Sequence, residues 1–293
     1  MMSAESGIEE LRFHIGAHKT ATTHFQDNLN ANGARLQNNG WLYLSRRFVR
    51  QSGLISRVHH NYWQVAWPGR RQLSLGEILL IPDGHPRKLL LSEEDSIGMS
   101  RNLLEGLYPR ARERLLPWAA AVKPEKMSIY ISIRSQADIL CSAYSQALRD
   151  GSVIGSFEEY RSYWIHRKPS WSNLVKISKA LFPSSRITVW TFDKYTERPA
   201  EIIKLFCDLS APDVDETIST ETNRLSVGVI RKIEALDGSI AIADRRKIIG
   251  DYIRMDNSTE RFDPLTAQEK KSLREQYEKD LGEVSRIGVR LVS

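Results

Sequence analysis

Apolar and polar positions follow two alternating periods along this chain. Short runs of apolar residues, several of them rich in β-branched side chains, have the length of buried strands. The segments between them mostly carry apolar residues three and four positions apart, which is the spacing of an amphipathic helix. The predicted strands are residues 11–16, 41–44, 88–92, 127–134 and, as the last one, 186–192.

Strands that alternate with helices favour an α/β fold. We expect three layers, with a central, mostly parallel sheet, helices on both of its faces, and a ligand at the carboxyl ends of the strands. The predicted helices are residues 20–38, 103–122, 137–149, 157–166, 171–181 and 199–209, followed by a terminal helix that starts at a capping box of Thr266 and Glu269 and ends near residue 284. Residues 45–84 have the least regular pattern.

Length and composition are those of one soluble domain. The chain has 293 residues, of which 41% are hydrophobic and 27% charged. We expect a single domain over residues 1–293, with a core of about 11–226 and a C-terminal helical extension of about 227–293. No apolar run reaches about 18 residues, and the first ten residues carry acids rather than a signal-peptide pattern, so we expect a cytoplasmic protein without a membrane span.

Cysteine content and charge restrict the chemistry further. Cys141 and Cys207 both fall in apolar helical patterns, which predicts two reduced, buried thiols rather than a disulfide or a metal site. The net charge of +6 suits an anionic ligand. Since the basic residues alternate with acids instead of forming a stripe with interleaved aromatic residues, we expect no nucleic-acid partner.

The segment HIGAHKTATTHFQ, residues 14–26, joins the first strand to the first helix. The unpaired N–H groups and the dipole at a helix start attract an anion. Lys19 adds a full charge, and the hydroxyls of Thr20, Thr22 and Thr23 add donors. The segment therefore predicts a site for a phosphate-like group, with an ordinary strand-to-helix turn as the structural alternative.

This loop is shorter than the loop that wraps a nucleoside triphosphate. Gly16 precedes Lys19 by only three positions, and His18 stands where the triphosphate motif GxxxxGK[ST] has its second glycine. The sequence HKTATT resembles instead the 5′-phosphosulfate loop PK[ST]GTT of sulfotransferases that use 3′-phosphoadenosine 5′-phosphosulfate (PAPS). His18 replaces the proline of that motif and Ala21 replaces its glycine, which adds a methyl group where the backbone approaches the ligand.

A second segment carries the same resemblance. In that family an arginine at the end of a central strand, and a serine eight residues later, bind the 3′-phosphate. IYISIRSQADILCSAYSQ has Arg134 and Ser142 at this spacing. The resemblance covers about residues 11–226, including RITVWTFDKYTERPAEIIKLFCDLS and the segment Asn223 to Ser226, whereas DRRKIIGDY (244–252) is only a weak match to the family's C-terminal phosphate loop.

The resemblance implies a P-loop-like sulfotransferase fold and a function. PAPS would donate a sulfuryl group to a hydroxyl of an acceptor, a small molecule or a carbohydrate. The product adenosine 3′,5′-bisphosphate (PAP) would then leave, and no metal is needed. The implied cofactor site consists of His18, Lys19, Thr20, Ala21, Thr22, Thr23, Arg134 and Ser142. Lys19 would neutralise the charge that develops on the leaving phosphate.

The acceptor hydroxyl needs a base. LLLSEED places Glu93, Glu94 and Asp95 just after a buried strand, at the expected ligand edge. The resemblance favours Glu94, while Glu93 or a histidine stays open, and acids after a strand are also common helix caps. The candidate acceptor residues are His59, His60, Tyr62, Trp63, Trp67 and Tyr144. Trp63 and Trp67 have helical spacing, so core packing is the expected role of at least one.

Two other functions fit parts of the pattern. The acids of LLLSEED are similar to the strand end that holds magnesium in P-loop kinases, which makes a small-molecule kinase using ATP and magnesium the rival enzyme. The replacements at positions 18 and 21 also allow a PAP-binding protein without activity. His14, inside the first predicted strand, is expected to be an interior histidine with satisfied hydrogen bonds.

Overall fold

Six parallel strands form the centre of the molecule. The computed structural model describes residues 8–64, 69–79, 87–122, 126–151, 155–209, 224–258 and 260–293, so Trp67 and Asn223 lie outside the described residues. The strands are β1 Glu10–His14, β2 Trp41–Leu44, β3 Lys88–Ser92, β4 Met127–Ile133, β5 Arg186–Thr191 and β6 Arg290–Val292. Their order in the sheet is β2-β3-β1-β4-β5-β6, and every neighbouring pair is parallel.

Helices cover both faces of this sheet. Within the described ranges they are α1 Thr22–Ala31, α2 Gly33–Asn38, α3 Arg46–Gln51, α4 Leu54–Gln64, α5 Leu75–Leu79, α6 Arg101–Leu104, α7 Ala111–Ala121, α8 Gln136–Arg149, α9 Phe157–Arg167, α10 Trp171–Leu181, α11 Phe192–Glu197, α12 Pro199–Cys207, α13 Val227–Glu234, α14 Ile242–Arg254 and α15 Ala267–Arg286. A short 3-10 turn, Glu94–Ser96, follows β3. The predicted three-layer α/β fold is confirmed.

The strands are apolar on both sides because each side has its own core. The smaller core joins Phe25 of α1 and Phe206 of α12 to Tyr130 and Trp190 on one face of the sheet. The larger core lies on the other face, under α4, α7, α8, α10 and α15. Cys141 belongs to the larger core and Cys207 to the smaller, and both are free, buried thiols, as the sequence predicts.

Four predictions of elements differ from the structure. The predicted helix 103–122 is divided into α6 and α7, because the residues between them are not helical and Leu107 and Tyr108 have φ values of 59° and 64°. The first helix breaks at Asn32 into α1 and α2, since asparagine followed by glycine is a poor helix interior. The irregular stretch 45–84 contains α3, α4 and α5; its apolar spacing is interrupted because Gly53, with φ of 63°, separates α3 from α4. The C-terminal region is not purely helical, because it ends in β6, which pairs with β5 in the sheet. The sequence does not reveal β6, since a strand of three residues is too short to show an alternating pattern.

Strand order places a ligand crevice beside β1. The chain adds β3 on one side of β1 and β4 on the other, and ligands of open parallel sheets bind where the order switches in this way. Pairing continues past the strands, since Ser132 N donates to Gly16 O at 2.9 Å and Ala17 N to Ser132 O at 3.1 Å. The chain segments that leave β1 and β4 are therefore held side by side.

The last helix is tied to this end of the sheet by buried Asp280. Its carboxylate accepts hydrogen bonds from Gln136 Nε2 at 2.6 Å, Ser170 Oγ at 2.5 Å and the N–H of Trp171 at 2.8 Å. Trp171 Nε1 in turn donates to the carbonyl of Arg134 at 2.7 Å. No helix in the described part of the chain has the length and apolar character needed to cross a membrane.

Candidate functional site

The loop after β1 has an unusual backbone. Gly16, Lys19 and Ala21 have φ values of 87°, 65° and 62°. Gly16 is required by space as well, because an added Cβ would lie 2.6 Å from Cβ of Glu94. Ala21 is the N-cap of α1, and no side chain caps this helix. A loop with left-handed residues that opens an uncapped helix suits an anion.

The predicted threonine donors are used partly by the loop itself. Thr20 Oγ1 donates to the carbonyl of Ala17 at 2.6 Å, and Thr22 Oγ1 donates to the same carbonyl at 2.9 Å. Thr23 is exposed, and its hydroxyl accepts from Arg46 Nη1 at 3.3 Å. At Thr20 and Thr22 the groups that can reach a ligand are consequently the main-chain N–H groups.

A buried network beneath the loop determines the tautomer of His14. Because Thr20 donates to Ala17, Ser132 Oγ must donate to Thr20 Oγ1, 2.5 Å away. His14 Nε2 then donates to Ser132 Oγ at 3.1 Å, and Nδ1 accepts from Ser92 Oγ at 2.9 Å. Burial lowers the pKa of His14 to about 3, which agrees with a neutral ring. The expectation of a satisfied interior histidine is confirmed.

Positive charges gather around Lys19. Burial, together with the nearby cations Arg149, Arg134 and Arg224, lowers its pKa to about 8, while Asp150 opposes the shift. Its Nζ lies 3.4 Å from an amide oxygen on α8, a weak hydrogen bond. An ammonium group that is destabilised by burial and by like charges is a group that an anionic ligand would stabilise.

Arg134 meets the loop directly at the end of β4. Its Nη1 donates to the carbonyl of Lys19 at 3.0 Å, and its guanidinium carbon lies 3.9 Å from the centre of the Phe192 ring. Burial lowers the pKa of Arg134, and its buried Nε has no acceptor among the described residues. Ser142 lies on α8 and is 7% exposed. The structure thus brings Lys19 and Arg134 together, although no described contact links Arg134 to Ser142.

The polar residues of α8 complete this side of the site. Gln146 supplies the oxygen near Lys19, and Arg149 follows three positions later on the helix. Arg224, in the segment before α13, donates to the carbonyl and to Oδ1 of Asp138, both at 3.2 Å. The sequence does not identify Gln146, Arg149 or Arg224 as site residues, because only the folded chain brings them to Lys19.

The acids after β3 are organised by one arginine. Arg50 of α3 holds Glu93 with two hydrogen bonds, of 3.2 and 3.0 Å, and its Nη2 lies 3.4 Å from Glu94 Oε1 and 3.5 Å from Asp95 Oδ2. Burial raises the pKa of Glu93, and Arg50 opposes that shift. Glu94 Oε2 accepts from the neutral amide of Gln26 at 3.1 Å. Arg50 therefore holds Glu93 more closely than it holds Glu94 or Asp95.

His18 connects the loop to these acids. The hydroxyl of Tyr108 accepts from the N–H of His18 at 2.9 Å and donates to its Nδ1 at 2.8 Å, so that Nε2 donates to Asp95 Oδ1 at 3.0 Å. Burial would raise the pKa of Asp95, but His18 and Arg50 outweigh it and the pKa is lowered. Because both ring nitrogens are engaged, His18 fixes the loop; a contact between its side chain and the cofactor stays a prediction.

The candidate acceptor residues of α4 lie on a separate helix. His59 faces α7, where burial and the charge of Arg114 lower its pKa. His60 contacts Gln64 within the same helix, and the ring centres of Tyr62 and Trp63 are 5.0 Å apart. Trp63 is 60% exposed. No hydrogen bond or ring contact joins these four residues to the loop in the described part of the chain, and their role stays a prediction.

Tyr144 lies in the core rather than in a pocket. It is fully buried, and its hydroxyl is 2.7 Å from the carbonyl of Gly155 and 2.5 Å from Glu234 Oε1. Two positions along a helix turn a side chain by about 200°, so Tyr144 faces away from the surface that carries Ser142. The proposed contact between Tyr144 and an acceptor is not supported by this position.

The weak match to a C-terminal phosphate loop is helical. Residues 244–252 fall inside α14. Arg245 is buried there and donates to the carbonyls of Gly151, Gly238 and Ile240. This segment supplies no loop to the site.

Comparison with known proteins gives only distant structural likeness. No protein-family model and no curated protein sequence matches the chain. A sulfotransferase from Alicyclobacillus acidocaldarius is 16% identical with a TM-score of 0.44, over 84% of this chain and 96% of that one. Retinol dehydratase in complex with androsterone and inactive cofactor PAP is 12% identical with a TM-score of 0.38, over 94% of this chain and 81% of that one. Likeness at this level carries no argument about activity.

Proposed function

We propose that this chain transfers a sulfuryl group from PAPS to a hydroxyl of an acceptor, a small molecule or a carbohydrate, and releases PAP. One observation carries the proposal: Arg134 donates to the carbonyl of Lys19 at 3.0 Å. The two groups assigned to opposite phosphates of one nucleotide thus belong to one site. They lie at the carboxyl ends of β4 and β1, where the strand order switches.

The residues present fit a ligand with two phosphate groups. Arg134 has a buried Nε without an acceptor, and the hydroxyls of Ser135 and Ser145 are buried without a partner among the described residues. Lys19 has a pKa of about 8 in a cluster of cations. When bound, PAPS supplies an activated sulfuryl group on a phosphate leaving group. Residues 18–23 would hold its 5′ side, and Arg134 with Ser142 its 3′-phosphate.

Charge stabilisation falls to the start of α1. Sulfuryl transfer resembles phosphoryl transfer, in which alignment and neutralisation of charge matter more than covalent catalysis. Lys19 and the main-chain N–H groups of the uncapped helix would stabilise the negative charge that develops on the leaving oxygen. In this proposal the role that a metal ion has in kinases belongs to Lys19.

Glu94 is proposed as the base that accepts the proton of the acceptor hydroxyl. Glu93 is held by two hydrogen bonds from Arg50, and Asp95 by His18. Glu94 instead has a neutral amide on one oxygen and a longer contact with Arg50 on the other. Glu94 also packs against Gly16, at the foot of the loop.

A kinase is the competing proposal, because the same acids could hold magnesium. Arg50 argues against it, since its guanidinium lies within 3.5 Å of all three carboxylates and would repel a divalent cation. A protein that binds PAP without turnover is the other alternative, since Ala21 carries a methyl group in a left-handed backbone.

Thermal unfolding with added nucleotides tests these proposals. PAP should raise the melting temperature without metal, and ATP with magnesium should not, because only a ligand that binds the folded state stabilises it. Lys19→Ala and Arg134→Ala should each remove the response to PAP. A response to ATP with magnesium but not to PAP would favour the kinase. If PAP binds but the protein does not convert PAPS to PAP in the presence of acceptors, the inactive binding protein is favoured.

A further inference from the structure

A second group of cations lines a cavity at the other end of the sheet. The cavity has a volume of about 430 Å³, which is within the range of small-molecule sites. It is bordered by the first residues of β5 and β6, whereas Lys19 and Arg134 follow the last residues of β1 and β4. The cavity is therefore distinct from the candidate site described above.

Strand register places the cationic side chains on one face. Tyr130 is aligned with Thr188, and Thr188 with Arg290, so these residues form one row across β4, β5 and β6. Arg186 precedes Thr188 by two positions and so shares its face. Tyr130 belongs to the smaller core, which fixes this face as the one covered by α1 and α12. The residues of this row and Arg186 line the cavity at the edge of the surface that these helices cover.

Most of this charge is not balanced. Arg186 and Arg290 have no ion pair in the described part of the chain. Lys179 donates to the carbonyl of Ile287 and to no carboxylate that is described. Arg12, by contrast, pairs with Glu10 at 2.8 Å and Asp208 at 3.1 Å. Asp208 also lines the cavity, but its described ion pair is with Arg12, so three cations of the wall have no ion pair among the described residues.

Hydrogen-bond donors accompany these cations. Tyr130 and Thr188 line the same cavity, and each is 7% exposed. Neither hydroxyl has a hydrogen-bond partner among the described residues. Both hydroxyls open into the cavity, where solvent or a ligand can complete their hydrogen bonds. Arginine forks and hydroxyls together are the donors that bind phosphate and sulfate groups.

We infer that this cavity binds a small molecule that carries a phosphate or sulfate group, held by Arg186 and Arg290 with the hydroxyls of Tyr130 and Thr188. The inference concerns a second site and does not depend on the proposed sulfuryl transfer. It assigns the unbalanced cations at the amino ends of β5 and β6 to ligand binding rather than to solvent.

Titration calorimetry with simple anions tests the inference. Inorganic pyrophosphate and sulfate are titrated separately into the full chain in chloride buffer at constant ionic strength, which distinguishes the two kinds of group. Lys19→Ala with Arg134→Ala disables the first site, and this variant should still bind one of the anions saturably. Adding Arg186→Gln with Arg290→Gln should weaken that binding by at least about tenfold, as expected for lost charged hydrogen bonds.

The matched control replaces Arg112 and Arg274 by Gln. Both are exposed arginines, on α7 and α15, without an ion pair in the described structure. Their substitution removes the same charge, and neither residue lines the cavity. This control should bind the anion as the parent does. The inference is overturned if neither anion binds the variant that lacks Lys19 and Arg134, or if the control weakens binding as much as the cavity variant. Circular dichroism and melting temperature in chloride verify that each variant is folded.

Discussion

The charge state of Lys19 depends strongly on its surroundings. Its pKa of about 8 follows first from burial and then from neighbouring arginines. A bound anion offsets both causes, so binding and protonation of Lys19 favour each other. Because of this coupling, the affinity for the ligand depends on pH in a range where the phosphate groups themselves no longer titrate.

We expect the affinity for PAP to fall as the pH rises through about 8, because Lys19 loses its proton there. Well above that pH the loss approaches about tenfold per pH unit for one coupled proton. Calorimetric titrations of PAP across this range measure it. Lys19→Arg is the control, since arginine keeps its charge and should flatten the profile. An unchanged fall in the arginine variant would assign the titration to another group.

Glu94 allows binding and chemistry to be separated. Glu94→Gln keeps the shape and the neighbour Gln26 but cannot accept a proton, so PAP should still raise the melting temperature while turnover falls by about 10²-fold or more. The measurement is PAP release from PAPS with saturating acceptor. Full activity in the glutamine variant would rule out Glu94 as the base.

At the scale of elements, the loop between β1 and α1 combines function with backbone strain. Ala21 has φ of 62°, a region that costs a non-glycine residue about 1 kcal/mol or more. It also forms the start of α1 without a capping side chain. The methyl group at this position distinguishes the loop from the motif it resembles, PK[ST]GTT.

Ala21→Gly should therefore stabilise the protein by about 1 kcal/mol and should not weaken PAP binding. Ala31→Gly, at the end of the same helix, is the control and should destabilise by about the same amount, because its backbone is helical. Urea denaturation of both variants measures the difference. Destabilisation by both substitutions would show that the left-handed backbone at position 21 is not strained.

Strands and helices with a regular pattern could be predicted from the sequence, because the spacing of their apolar residues shows which side of each element is buried. The strands 88–92 and 127–134 and the helix 171–181 agree closely with β3, β4 and α10. Lys19 and Arg134 could be found because each lies in a short segment that resembles a sulfotransferase motif. Arg50 and Tyr108 could not, since they come from distant segments and no local pattern marks their approach to Glu93 and His18.

At the scale of the whole molecule, the candidate site depends on the C-terminal helix. Asp280 accepts hydrogen bonds from three groups on or beside α8 and α10, and Trp171 holds the carbonyl of Arg134. Asp280 touches no group assigned to a ligand. Its effect on the site passes through the start of α10.

Asp280→Ala should lower the free energy of unfolding by about 3 kcal/mol or more, because it leaves several buried donors unsatisfied. PAP binding should weaken as well, through the altered position of Arg134. Urea denaturation and calorimetry measure the two effects. Glu278→Ala, an exposed change on the same helix, should alter neither. Normal PAP affinity in a folded Asp280→Ala protein would show that Asp280 of α15 does not support the site.

The reach of Asp280 into the start of α10 has a practical consequence for anyone who mutates this chain. A screen that scores loss of nucleotide binding would collect hits in the final turns of α15, a long way along the sequence from residues 18–23. Such hits would look like a second binding region. They would instead mark the helix that positions Arg134 through Trp171.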